Sequence, residues 1–91
     1  MRLTHTLVND FVDELEVWVE PWADLYVVLR GAKVAFIYEA KVGADLLESE
    51  VEQGRVTFWF SGDAPNVTIN GIEAKPVDQY EWHRRTQKSR P

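Results

Sequence analysis

Ninety-one residues with 45% hydrophobic and 27% charged content describe one soluble globular domain, because two domains would each be too small to hold a core. There is no cysteine, which excludes disulfides, thiolate metal sites and a cysteine nucleophile. Residues 1–75 hold 6 Lys/Arg against 13 Asp/Glu, a net of −7, and residues 76–91 hold 4 against 2, a net of +2, which together give the −5 of the chain; an acidic body of this kind repels nucleic-acid backbones.

In chain order, residues 3–12 fit two patterns. Leu3, Leu7, Val8, Phe11, Val12 and Leu15 could form a helical stripe. Thr4, Thr6 and Val8 favour a strand, with Asn9-Asp10 as a turn into the next, and the strand is the reading adopted. The segment carries one arginine and no long apolar run, so it does not read as a signal peptide, and a cytoplasmic protein is expected.

Strict alternation follows in Glu14–Glu20. Leu15, Val17 and Val19 fall on one face, and Glu14, Glu16, Trp18 and Glu20 on the other. Glu20-Pro21-Trp22 interrupts the run. Proline lacks a ladder donor and belongs at an edge, bulge or corner. A corner passing between sheets, plugged by an inward Trp22 and with Glu20 receiving freed backbone donors, is expected there, after which Leu25, Val27 and Leu29 continue the core face.

Arg30-Gly31-Ala32-Lys33 reads as a turn, and 34–39 as a strand. Gly43 opens a loop. From Leu46 the pattern sets Leu47, Ser49 and Val51 against Glu48, Glu50 and Glu52, a solvated acidic face that discourages edge-to-edge aggregation. Gln53-Gly54 is a turn, and Val56, Phe58 and Phe60 are the core positions of the next strand. After the loop 61–65, Asn70-Gly71 lies between Val67-Thr68-Ile69 and Ile72-Glu73-Ala74, the preferred pair for a two-residue type I′ hairpin. Residues 1–75 are thus one β domain of about seven or eight strands, an all-β antiparallel sandwich or small open barrel. Residues 76–91 are expected to be a basic, partly disordered tail, whose Tyr80 and Trp82 could pack back on a sheet face.

The stretches 15–40 and 51–76 resemble a group of small bacterial proteins in which an alternating strand ends in Glu-Pro-Trp, followed by a strand, a glycine turn at Gly31, another strand and a closing hairpin. The resemblance brings no function with it. The same rhythm is similar to the opening of a cupin-like or jelly-roll-like barrel, in architecture only. Metal-dependent members of that group use clustered histidines, whereas His5 and His83 stand near opposite ends here.

No catalytic motif is present. Ser49, Ser61 and Ser89 lack a nucleophile-elbow context, and no loop has calcium-binding spacing. The chain therefore reads as non-enzymatic, with no cofactor and no metal. Trp18 and Trp59 fall on water-facing strand positions, Trp59 in the company of Arg55. Exposed tryptophan with a polar rim marks an interface. The candidate binding residues are Trp18, Trp59, Glu20, Trp22 and Arg55. The expected role is a protein-interaction or assembly module, self-associating as a homodimer through the Trp18/Trp59 face. Two alternatives are a carbohydrate-like small-ligand binder, since tryptophan stacks on sugar rings, and an acidic immunity-type inhibitor of a basic target.

Overall fold

The computed structural model describes residues 1–40 and 47–88. Its strands are β1 (Arg2–Val8), β2 (Glu14–Glu20), β3 (Asp24–Leu29), β4 (Lys33–Glu39), β5 (Glu48–Glu52), β6 (Arg55–Trp59), β7 (Asn66–Ile69) and β8 (Ile72–Glu73), and one helix, α1 (Gln79–Lys88), follows them. They form two packed four-stranded sheets, ordered β1-β4-β7-β8 and β3-β2-β6-β5, called here sheet A and sheet B. The fold is an all-β sandwich and no barrel closes. Every pairing is antiparallel except β2–β6, which is parallel.

The alternation read in the sequence becomes the core. Leu15, Val17 and Val19 of sheet B, together with Val56, Phe58 and Phe60, face Val34, Phe36 and Val67 of sheet A. Phe36 sits at the centre with no exposure, its ring 5.0 Å from Phe58 and 5.5 Å from Phe60. The 3–12 ambiguity resolves as strand up to Val8. Asn70 and Gly71 both have positive φ, 52° and 80°, as the type I′ turn requires. Gly43 lies outside the described residues.

The Glu20-Pro21-Trp22 expectation needs correction. The segment does not carry the chain between sheets. It is the turn of a hairpin within sheet B, because Val19 pairs with Asp24 and Val17 with Tyr26. That register puts Tyr26 and Val28 on the core side, not Leu25, Val27 and Leu29. The three-residue turn 21–23, in which Ala23 has φ 56°, sets the parity. Trp22 does pack, half-buried, against the core. The Glu20 main-chain carbonyl accepts the Phe60 N–H (3.0 Å), which continues the β2–β6 ladder, and among the described residues no donor freed at the turn reaches the Glu20 carboxylate.

Leu25 is nevertheless fully buried, because the C-terminal segment covers its end of the outer face of β3, while Leu29 at the other end is exposed. The Val77 N–H donates to the Leu25 carbonyl (2.8 Å), and Trp82 of α1 is buried. Residues 79–88 are therefore a docked helix where a solvated tail was expected; Trp82 packs and Tyr80 stays exposed. Asp78 caps the helix, its Oδ1 accepting the Glu81 N–H at 3.1 Å. Asp78→Ala should cost about 1 kcal/mol of stability, read as a lower thermal midpoint and faster amide exchange in the first turn of α1.

Candidate functional site

The outer face of sheet B divides in two. Around Leu25 and Glu16 it is covered by the C-terminal segment, with Trp82 and His83 of α1 against Glu16 and Trp18. Over β6 and β5 it is open. The register places Glu16 beside Arg55, Trp18 beside Thr57 and Glu20 beside Trp59, and beyond them Glu52, Glu50 and Glu48 in the same three rows. Period-two geometry puts all of these side chains on one side of the sheet.

Glu16 is the centre of the boundary between the two halves. Its Oε1 accepts the Trp18 indole N–H (3.0 Å) and the Arg55 Nε–H (3.3 Å), and its Oε2 accepts the Trp82 indole N–H (2.9 Å). One carboxylate thus joins β2, β6 and α1. Burial pushes the Glu16 carboxyl up, but the hydrogen bonds from Trp82 and Trp18 and the charge and hydrogen bond of Arg55 outweigh it, so the group sits below its ordinary value. The Arg55 guanidinium also lies 5.6 Å over the Trp18 ring, and His83 of α1 approaches the same ring at 6.3 Å.

On the open half, Trp18, Glu20, Glu50, Glu52, Arg55, Thr57 and Trp59 line a shallow concavity of about 440 Å³. Trp59 is 39% exposed. The one cation in the lining is already engaged by Glu16 and Trp18. Glu20, Glu50 and Glu52 have no ion pair among the described residues. The concavity is therefore aromatic and net anionic.

Of the residues singled out from the sequence, Trp18, Trp59, Glu20 and Arg55 come together here. Trp22 does not; it points into the core end of the sandwich. Sequence reasoning missed Glu16 as the hub, since an alternating glutamate looks like any solvated one. It also missed α1, although Asp78 followed three residues later by Glu81 is the acidic counterpart of a helix-start signal. Among the described residues no group of three or more His, Asp or Glu side chains is placed to hold a metal ion, and no helix is long and apolar enough to cross a membrane. No protein-family model matches the chain, and neither a curated protein nor a solved structure does.

Proposed function

We propose that this chain is a non-enzymatic protein-interaction module that takes a basic partner on the open half of sheet B. The observation that carries the reading is the pairing of an exposed tryptophan with three uncompensated carboxylates in one concavity. A lysine or arginine side chain satisfies both. It stacks its charge on an indole face and is held by Glu20, Glu50 or Glu52. The acidic inhibitor of a basic target, one of the roles expected from charge alone, is a special case of this reading.

Self-association through the same face meets an obstacle. A two-fold copy would set Glu20, Glu50 and Glu52 against carboxylates of its partner, with Arg55 already occupied. A sugar platform is favoured less, because the Trp18 ring is covered by Arg55 and only Trp59 offers a free face.

An oligo-arginine peptide titrated against intrinsic tryptophan fluorescence tests the proposal. Trp59→Ser should weaken binding about tenfold or more, which corresponds to about 1.4 kcal/mol. Glu50→Gln with Glu52→Gln should flatten the salt dependence. If Glu39→Gln with Glu73→Gln, which lie on sheet A, weaken binding equally, the peptide is reading net charge and the site is wrong.

A further inference from the structure

Among the described residues the sandwich has four edge strands, β1, β8, β3 and β5. Exposed edges are normally guarded, because their unpaired backbone groups recruit other strands. β8 is only two residues long. β5 carries Glu48, Glu50 and Glu52. The β3 edge is occupied by the C-terminal segment, through the Val77 N–H on Leu25 and the Gln79 side chain on the Ala23 carbonyl. Among the described residues β1 has no such guard: it is seven residues, Arg2–Val8, with no proline and no charge after Arg2.

The unpaired backbone groups of β1 can be assigned. Met1 and Ala40 exchange hydrogen bonds (2.8 and 3.1 Å), and the Asn9 N–H reaches Ala32 (3.0 Å). The register between these ends is unbroken. Odd-numbered residues therefore bond to β4, and the N–H and C=O groups of Arg2, Thr4, Thr6 and Val8 point outward.

An independent observation marks the same place. Val51 pairs opposite the buried Val56, so it belongs to the core side of sheet B, yet it is 75% exposed. The cause is an offset between the sheets. The Phe58 ring packs on both His5 of β1 (5.4 Å) and Phe36 of β4 (5.0 Å), which puts β6 beneath that pair. β5, one strand further out, has no strand of sheet A above it. Between the two edges lies an apolar cleft of about 320 Å³, lined in part by His5, Leu7, Phe11, Val51, Val56 and Phe58.

We infer that β1 is a strand-addition site, and that its occupant is an extended segment of a partner protein with apolar side chains two residues apart. A strand added about 4.8 Å beyond β1 would pair with the outward groups of Arg2, Thr4, Thr6 and Val8. Its alternate side chains would enter the cleft and cover Val51. The unpaired backbone row selects a polypeptide, and the cleft selects the i, i+2 apolar pattern. A second copy of this chain is a poor occupant, although Leu3-Thr4-His5-Thr6-Leu7 reads the same in both directions. β5 projects beneath the slot, so a copy joined at β1 would bring its own β5 to the same space. This site is separate from the acidic concavity, and neither reading depends on the other.

The test is selection of a displayed library of random peptides of about ten residues on the full chain. The enriched sequences should alternate apolar residues, and a synthetic copy should slow amide exchange at Thr4, Thr6 and Val8 while leaving Leu3, His5 and Leu7 unchanged. Thr6→Pro removes an outward N–H without touching the β4 ladder, and Val51→Asp places a charge in the slot; each should weaken binding about tenfold or more, about 1.4 kcal/mol. If Thr6→Pro disturbs the fold, Val51→Asp and the exchange pattern decide. The inference is overturned if no peptide is enriched, or if both variants bind as the wild type does. Enrichment of basic peptides lost only in Trp59→Ser would overturn it in favour of the concavity. A dimer on native mass spectrometry that Thr6→Pro dissolves would overturn it in favour of self-pairing.

Discussion

Asn9→Ala is expected to lower the unfolding free energy by about 3 kcal/mol. Asn9 is a fully buried polar residue at the end of β1. Its Nδ2 donates to the Val12 carbonyl (2.9 Å) and the Val28 carbonyl (2.8 Å), and its Oδ1 accepts the N–H groups of Phe11 (3.1 Å) and Val12 (3.3 Å). It thus ties the β1–β2 connection to β3 of the other sheet. Alanine deletes all four bonds and leaves the Val12 carbonyl and the Phe11 and Val12 N–H groups without these partners in a part-buried loop, and a buried unsatisfied group costs about 1–3 kcal/mol. A domain of this size has a total stability of about 5–14 kcal/mol, so the loss is large. Asn9→Asp separates polarity from volume. It is nearly isosteric, but it sets a carboxylate against two carbonyl oxygens, and it should be at least as damaging as alanine. Denaturant unfolding of the two variants measures this; an aspartate variant as stable as the wild type would remove the hydrogen-bond account.

Glu16→Ala is expected to cost a similar amount, about 3 kcal/mol. The substitution removes the shared acceptor of two indoles and leaves Arg55 without its carboxylate. Glu16→Gln should lie between alanine and wild type, because its single amide oxygen can serve only one of the two positions that the carboxylate oxygens hold. The pH dependence follows from the depressed folded pKa of Glu16. A carboxyl lowered on folding contributes stability that is complete above its unfolded pKa of about 4.3 and lost as pH falls through the folded value. The gap between wild type and Glu16→Gln should therefore narrow on acidification below about pH 4. A gap that stays constant from neutral pH to below that range would show that the ionised form of Glu16 contributes nothing. Tryptophan fluorescence is a direct local reporter, since Trp18 and Trp82 both donate to this carboxylate.

The outer-face grouping of Trp18, Glu20, Arg55 and Trp59 was legible because it follows from parity alone. Each sits on the polar phase of an alternating strand, and adjacent strands keep that phase on one side of the sheet. The inward packing of Trp22 was expected, but the core face after it was assigned to Leu25, Val27 and Leu29, because a turn can change parity and nothing local to Glu20-Pro21-Trp22 says by how much. The register with Asp24 and Tyr26 decided it.

By itself the sequence determined the all-β class, the core residues of β2 and β6, and the Asn70-Gly71 turn. These depend on period-two hydrophobicity and on positive-φ chemistry, which act between residues close in the chain. Only the tertiary structure decided what the non-local terms control. The parallel β2–β6 pairing brings Arg55 to Glu16 across thirty-nine positions, and the docking of α1 brings Trp82 to the same carboxylate across sixty-six. The offset of the two sheets uncovers Val51 on the core side. Alternation tells a side chain which face of its strand it occupies; which strand, helix or solvent meets that face is set by packing between segments distant in sequence.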